Sequence, residues 1–306
     1  MLSIIVPAYN EQEVLDQFYA RVTVVLQTAA PDYELIFVND GSRDGTLQLL
    51  ERLSESDPRV VVIDLSRNFG KEIAVSAGID FSRGDAVIII DADLQDPPEL
   101  IPELLKQWNS GFDNVYARRI SRDGESVIKK TTSYLFYRFI RRMTNIDIPA
   151  DTGDFRLLSR RAVDSLKQLP ERNRFMKGLY AWIGYPSVAV EYRRDPRYAG
   201  ETKWNYWKLW NFALEGITSF TEVPLKVASY VGVAVAFAAF CYGVYIIINT
   251  ILYGNPVAGY PSLIVTILFL GGVQLIFIGV LGEYLARAFS ESKRRPLYFV
   301  NKVIRK

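Results

Sequence analysis

The sequence contains no histidine and a single cysteine, Cys241, in 306 residues. Without imidazole there is no histidine general base, no Ser-His-Asp relay and no histidine-ligated metal. One cysteine excludes a disulfide framework and a cysteine-cluster metal site. Charge is missing over one long stretch, since no Asp, Glu, Lys or Arg lies between Val227 and Gly282. The net charge is only +2, which gives no basic surface for nucleic acid. Met1 leads straight into a strand-like run at 2–6 with no basic leader and no cleavage site. No signal peptide is therefore expected.

A bilayer-crossing helix needs about 20 apolar residues. The uncharged stretch holds two, over 227–252 and 262–281, with turn residues at 254–256 and 259–261. A soluble core helix pair is the alternative, but soluble helices keep a charged face. The turn is uncharged, while the tail carries Arg287, Lys293, Arg294, Arg295, Lys302, Arg305 and Lys306. The positive-inside rule places that tail in the cytoplasm. Two spans return the chain to the side it left, so a multi-pass protein with both termini and the large N-terminal region cytoplasmic is expected.

The first half alternates strand-like and helix-like segments. Strands are expected over 2–6, 34–38, 60–64, 86–90 and from 114. Helices are expected over 11–27, 45–53, 71–80 and 98–108, with Asp44 able to cap the second. This alternation implies an α/β fold with a mostly parallel, Rossmann-like sheet. Ligands of such sheets gather at the carboxyl ends of the strands. The apolar run 86–90 ends in Asp91, Asp93 and Gln95, hard oxygen ligands that suit Mg²⁺ or Mn²⁺ carrying a phosphate ester. The other strand ends are polar too: Pro7-Ala8-Tyr9-Asn10-Glu11, Asn39-Asp40-Gly41-Ser42, and Ser66 to Lys71. Any one of these could be turn chemistry. Four along one crevice point to a nucleotide site. Tyr9 could pack on a ring, Asp40 accept from a base or ribose, and Lys71 face a diphosphate as a point charge.

These segments, with Asp-Ala-Asp-Leu-Gln-Asp-Pro at 91–97, resemble the inverting glycosyltransferases of family 2. Members have a GT-A fold and use nucleotide-diphospho-sugars. Gly153-Asp154-Phe155-Arg156-Leu157, Arg197 to Lys203 and the two terminal spans narrow the resemblance to the polyprenyl-phosphate branch. That branch includes the dolichol-phosphate mannose synthases and, nearer to this sequence, the bacterial bactoprenol glucosyltransferases. The Gln-x-x-Arg-Trp motif of processive polysaccharide synthases is absent.

The resemblance implies that Pro7, Tyr9, Glu11 and Asp40 hold the nucleobase and ribose. Asp91 lies near the ribose or diphosphate, and Asp93 and Gln95 ligate the metal. Arg118 takes the acceptor phosphate, with Lys129 and Ser133 matching an Arg/Ser pair of the family. Lysine at 129 replaces the bidentate arginine fork with a point charge. Arg197 and Lys203 lie near the phosphates. Asp154 holds the family position of a catalytic base, although orienting Arg156 or Lys203, or positioning the sugar, suits it better. The implied reaction transfers one sugar, with glucose from UDP-glucose first among donors, to undecaprenyl phosphate at a bacterial inner membrane, for O-antigen modification. GDP-mannose and UDP-amino-arabinose are the alternative donors. A nucleotide-sugar-binding partner of a lipid flippase is the non-catalytic alternative.

Lys203–Phe220 and Ser133–Met143 mix aromatics with basic residues, as interfacial helices do. The expected division is a catalytic domain over 1–203, an interfacial region over 204–225, two spans within 226–286 and a basic tail over 287–306. The tail's run at 296–300 is too short to fold alone. It is expected either to join a neighbouring subunit's sheet edge, which favours a homo-oligomer, or to lie on anionic lipid.

Overall fold

Apolar runs rich in Val, Ile and Leu become strands buried on both faces. The computed structural model describes residues 1–120, 149, 152–172, 174–192, 223–253 and 259–306. They divide into two units, Met1–Ala213 with Arg295–Lys306, and Leu214–Arg294.

In the first unit, β1 (Leu2–Ala8), β2 (Tyr33–Asn39), β3 (Val60–Leu65) and β4 (Ala86–Ile89) form the parallel heart of one sheet. Every residue of β2, β3 and β4 is buried, as helix-covered parallel strands require. The sheet continues with β5 (Asn114–Arg119), β6 (Thr152–Ser159), β7 (Ser187–Tyr192) and β8 (Val300–Ile304), in the order β7-β5-β6-β4-β1-β2-β3-β8. This is the α/β arrangement of the GT-A type, with a mixed rather than uniformly parallel sheet. The alternation of strand and helix does not reveal β6, which lies antiparallel between β4 and β5.

Helix α1 (Leu15–Ala29) buries Leu15, Phe18, Val22 and Leu26, one helical face. Phe18 meets Phe37 edge to face, with centroids 6.2 Å apart. The helix begins four residues later than the apolar pattern indicates. The N–H groups of Asn10, Glu11 and Gln12 donate to Ser42, Thr46 and Asp44 side chains instead. Helix α2 (Thr46–Ser56) follows β2 and α3 (Lys71–Phe81) follows β3. At Gly78 of α3 a Cβ would lie 2.3 Å from Ile5 Cγ2, so only glycine lets this helix lie so close to β1. A 3₁₀ turn at Pro98–Leu100 leads into α4 (Ile101–Asn109). Two short helices, α5 (Arg160–Lys167) and α6 (Met176–Trp182), follow β6.

The second unit contains α7 (Val223–Tyr253) and α8 (Tyr260–Ser292). Both are long and apolar enough to cross a membrane, over Leu225–Tyr245 and Phe269–Ser292. Their large apolar side chains point outward; Phe237 is 68% exposed and Leu275 70%. Gly232 of α7 packs against the Phe277 ring of α8. Helix α8 runs well past the expected end at 281, because Glu283 and Arg287 pair at i, i+4 (2.9 Å) and keep its last turns intact.

The tail takes a form that its sequence does not show. Residues 287–292 continue α8 and 287–294 belong to the second unit, while 295–306 belong to the first. The strand lies over Val300–Ile304 rather than 296–300 and forms one edge of the chain's own sheet. Val300–Ile304 pairs antiparallel with β3 of the same chain. Arg305 seals that edge through its ion pair with Glu34, which is 10% exposed, at 2.9 Å.

Candidate active site

The ends of β1 to β5 open on one side of the sheet, and the expected site residues collect there. Asn10 adopts φ +54°, a left-handed conformation that asparagine tolerates better than most residues. Its Oδ1 accepts the Arg43 N–H (2.8 Å), and its own N–H donates to Ser42 Oγ (3.0 Å). Gln12 Oε1 accepts the Gly45 N–H (2.7 Å), and Thr46 Oγ1 accepts the Glu11 N–H (2.9 Å). Asp44 accepts the Thr46 N–H (3.1 Å), but it does not cap α2 as expected: the N-cap is Gly45, one residue later, and has no side-chain cap bond. The loops after β1 and β2 are thereby joined. Pro7 pairs in register with Val38 in the sheet. Tyr9 and Glu11 follow it, half-buried at the mouth of the crevice.

Asp40 is 3% exposed. Its carboxylate accepts the N–H groups of Phe69 (2.7 Å) and Gly70 (2.9 Å). Burial raises its pKa against the pull of those two donors. Asp40 therefore clamps the loop after β3 onto the loop after β2. Gly41 makes the approach possible: at φ +64° a Cβ there would lie 2.5 Å from the Arg67 carbonyl carbon.

The other half of the crevice is charged. Lys71 Nζ, at the first residue of α3, bridges Asp91 Oδ2 (2.7 Å) and Asp154 Oδ2 (2.6 Å). Burial opposes that ammonium charge, but the two carboxylates outweigh it and hold Lys71 protonated well above its usual range. Burial pushes Asp91 up to about 6, with Lys71 opposing the rise and Asp154 adding to it. Asp154 moves the other way. Burial opposes its charge, but Lys71 and Lys177 prevail and keep it ionised. Glu72 is driven up to about 8 by burial and by the Asp154 charge. Arg156, 4% exposed, stacks its guanidinium 3.8 Å from the centroid of the Tyr180 ring. Asp154 Oδ1, Arg156 Nε and Tyr180 Oη are buried without a hydrogen-bond partner among the described residues.

Asp93 Oδ1 accepts the Gln95 N–H (3.1 Å). Between them Leu94, 4% exposed, sits at φ +58°. A bulky residue in that region is strained, and burial of its side chain holds it there. β4 ends at Ile89, so Asp93 and Gln95 lie in the turn that follows it. Among the described residues no three His, Cys, Asp or Glu side chains converge into a metal cage. Mg²⁺ takes one or two carboxylates and fills its shell with water and substrate phosphate. Asp93 with Gln95 fits that pattern.

Arg118 and Arg119 sit at the end of β5 and have different partners. Arg118 is 47% exposed and ion-paired with Glu191, its register partner on β7. Arg119 is half-buried: its Nε donates to Tyr192 Oη (3.3 Å), and Tyr192 in turn donates to the buried Asp96. A Cβ on Gly153 would lie 3.4 Å from Arg119 Nη2 and 3.7 Å from Asp96 Oδ2. The trio ties β5 and β7 to the loop that carries Asp93 and Gln95. Sequence reasoning names Arg118 but not Arg119, Asp96, Tyr192, Glu72 or Tyr180. The one usable signal is that adjacent strand residues point to opposite faces. A register shift between Tyr116 and Arg118 disturbs even that phase. Lys129, Ser133, Arg197 and Lys203 lie outside the described residues, as do the aromatic-basic segments over 133–143 and 203–220.

The family profile for glycosyl transferase family 2 matches residues 3–167, and that for the GtrB C-terminal hairpin matches residues 223–288. An uncharacterized glycosyltransferase of Synechocystis is 56% identical over 300 residues, 98% of this chain and 94% of that one. The prophage bactoprenol glucosyl transferase homolog of Escherichia coli is 49% identical over 302 residues, 99% of each chain. The bactoprenol glucosyl transferase of Shigella phage SfV is 50% identical over 299 residues, 98% of this chain and 97% of that one.

Proposed function

Because this chain belongs to glycosyl transferase family 2, we propose that it moves one glucose from UDP-glucose to undecaprenyl phosphate at the cytoplasmic face of a bacterial inner membrane. The observation that carries this reading is the charged end of the crevice. There Lys71, Asp91 and Asp154 meet beside Asp93 and Gln95, and Arg118 and Arg119 stand at the next strand end. The relatives named bactoprenol glucosyl transferases support the acceptor, since they match almost the whole chain. Two helices long enough to cross a membrane would keep the enzyme beside a lipid-borne substrate. The product would serve O-antigen modification.

A phosphate monoester has a second pKa of about 6, so the acceptor is mostly dianionic at neutral pH. It needs no general base, and a chain without histidine is not handicapped. It needs relief from repulsion by the donor diphosphate. Arg118 is suited to that task, because its exposed pair with Glu191 is worth only about 0–1 kcal/mol and yields to a dianion. Lys129, Ser133, Arg197 and Lys203 would complete the phosphate site. Pro7, Tyr9, Glu11 and Asp40 would border the nucleoside. Asp93 and Gln95, with Asp91 nearby, would hold Mg²⁺ or Mn²⁺, which when bound supplies charge neutralisation at the diphosphate. Asp154, fixed by Lys71, orients that lysine and the sugar. In-line attack at the anomeric carbon inverts it and gives a β-linked product from an α-linked donor.

The test is a panel of labelled nucleotide-sugars incubated with the full-length protein in membranes and polyprenyl phosphate, followed by lipid extraction. Label from UDP-glucose in the lipid phase supports the reading. Label from GDP-mannose or UDP-amino-arabinose alone changes the donor. Nucleotide-sugar binding without transfer supports the non-catalytic alternative.

A further inference from the structure

The strand that follows α8 reaches the donor loops through a chain of hydrogen bonds. In the β3–β8 ladder Asp64 pairs with Lys302 and Leu65 with Val300. Asn301 is thus the extra residue of a bulge, a device that re-aims a side chain. Its Nδ2 donates to Asp64 Oδ2 at 2.8 Å. The second oxygen of Asp64, Oδ1, accepts Asn39 Nδ2 at 2.7 Å. Asp64 is 5% exposed and Asn39 1%. A carboxylate only accepts, so the Asn39 amide must turn its NH₂ toward Asp64 and its oxygen toward the loop. That oxygen accepts the Ser42 N–H (3.3 Å), and Ser42 Oγ accepts the Asn10 N–H (3.0 Å). Asn39 directly precedes Asp40, the clamp on Phe69 and Gly70.

We propose that Asn301 is a positioning residue for the nucleotide. By fixing Asp64 and, through it, the orientation of Asn39, it holds the 39–42 loop in the shape that receives the donor. The inference rests on the donor reading above. The strand stays in place without Asn301. Lys302 pairs with Glu51 (3.0 Å), Arg305 with Glu34 (2.9 Å), and Lys306 donates to the Glu55 carbonyl (2.6 Å). None of those contacts touches the donor loops.

The experiment measures UDP and GDP binding by calorimetry, and the donor KM and kcat, on full-length protein in detergent. Asn301→Ala weakens nucleotide binding and raises the donor KM by roughly five- to tenfold, within the net worth of one ordinary hydrogen bond because the effect reaches the site indirectly, with kcat within about twofold. Lys302→Ala on the same strand changes neither. Asp64→Asn with Asn301→Asp rebuilds the relay with its charge moved, and it restores binding relative to either single change. Should Asn301→Ala fail to fold, that rescue decides. If the wild type binds nucleotide and Asn301→Ala matches it, the relay is overturned while the donor reading stands. An equal loss in Lys302→Ala also overturns it, because the cause is then general loosening of the strand. If the wild type binds neither UDP nor GDP, both the donor reading and the relay fall.

Discussion

The loops after β1, β2 and β3 are joined by hydrogen bonds that are complete without a ligand, whereas the ends of β4 and β6 gather charges whose partners are incomplete. In the first region Asn10, Gln12, Asn39, Ser42 and Thr46 each hold a backbone or side-chain partner. In the second, two carboxylates share one lysine, and Asp154, Arg156 and Tyr180 each bury a polar atom without a partner among the described residues. A buried unsatisfied group costs about 1–3 kcal/mol, and such costs persist where function requires them. A nucleoside is recognised by shape, which a finished hydrogen-bond frame supplies. Two phosphates brought together need charge, which is useful only if it is not already spent.

The largest effect should come from the charged region. Asp93→Ala is expected to lower transfer about a thousandfold, several kcal/mol of charge stabilisation at 1.36 kcal/mol per tenfold. Added Mg²⁺ or Mn²⁺ should not restore it. Uridine binding measured without metal should hold, because the hydrogen-bonded loops after β1, β2 and β3 are untouched. Activity that survives either Asp93→Ala or excess EDTA would remove the metal from the reading.

The two arginines divide the charged region further. Arg118→Ala is expected to cut transfer to polyprenyl phosphate by about ten- to a hundredfold, the 1.5–3 kcal/mol of a charge-assisted hydrogen bond. Slow hydrolysis of the nucleotide-sugar should be spared, since water brings no negative charge. Arg118→Lys should recover part of the loss. Arg119→Ala should instead lower transfer and hydrolysis together, because Arg119 braces Tyr192 and Asp96 against the loop carrying Asp93. Reversal of the two patterns would exchange their roles.

The contrast also explains what the sequence could convey. Strands β1 to β4 were legible because burial on both faces leaves uninterrupted apolar runs. Asp40, Lys71, Asp91 and Asp93 were legible because they sit where those runs stop. Strand β6 was not, although its eight residues make it the longest of the described strands, since Gly153-Asp154-Phe155-Arg156 near its start breaks the apolar pattern. Arg119 was hidden by the register shift in β5. The pairing of β8 with β3 joins residues more than two hundred positions apart, and no local pattern carries that information. The hairpin was the plainest feature, because a helix facing lipid is apolar all round.

A third prediction tests the hydrogen-bonded loops. Asn10→Ala removes a hydrogen bond to Arg43 and forces alanine into left-handed backbone, a cost of roughly 1–2 kcal/mol. The donor KM should rise about tenfold with kcat little changed. Asn10→Gly loses the bond without the strain and should show a smaller rise. If kcat falls instead, the β1–β2 loops take part in the chemistry and the contrast between the regions fails.

The smallest effect is on stability and separates the regions by pH. Glu72 lies beside Asp154 and accepts the Met176 N–H at the start of α6, and burial with the Asp154 charge pushes it up to about 8. An unfolded glutamate titrates near 4.3. A carboxyl whose folded pKa is raised binds its proton more tightly in the native state. Its contribution is full below about pH 4.3 and is lost as pH rises toward 8. Carboxylates held low, such as Asp113 beside Arg161, act in the opposite sense and lose their contribution only as pH falls into the acid range. Between pH 6.5 and 8.5 the upper end of the Asp91 titration and the Met1 amine, raised by Asp85 and Asp32, overlap that of Glu72, so Glu72 is read from the difference between wild type and a variant. The wild-type melting temperature should fall across this window by a few degrees, at roughly 2–4 °C per kcal/mol. Glu72→Gln keeps the shape and the acceptor for Met176 but has no proton to lose, so its melting temperature should fall less over the same window. A wild-type profile that falls no more than that of the variant would mean that Glu72 is ionised when folded, and the crevice would then hold one more fixed negative charge.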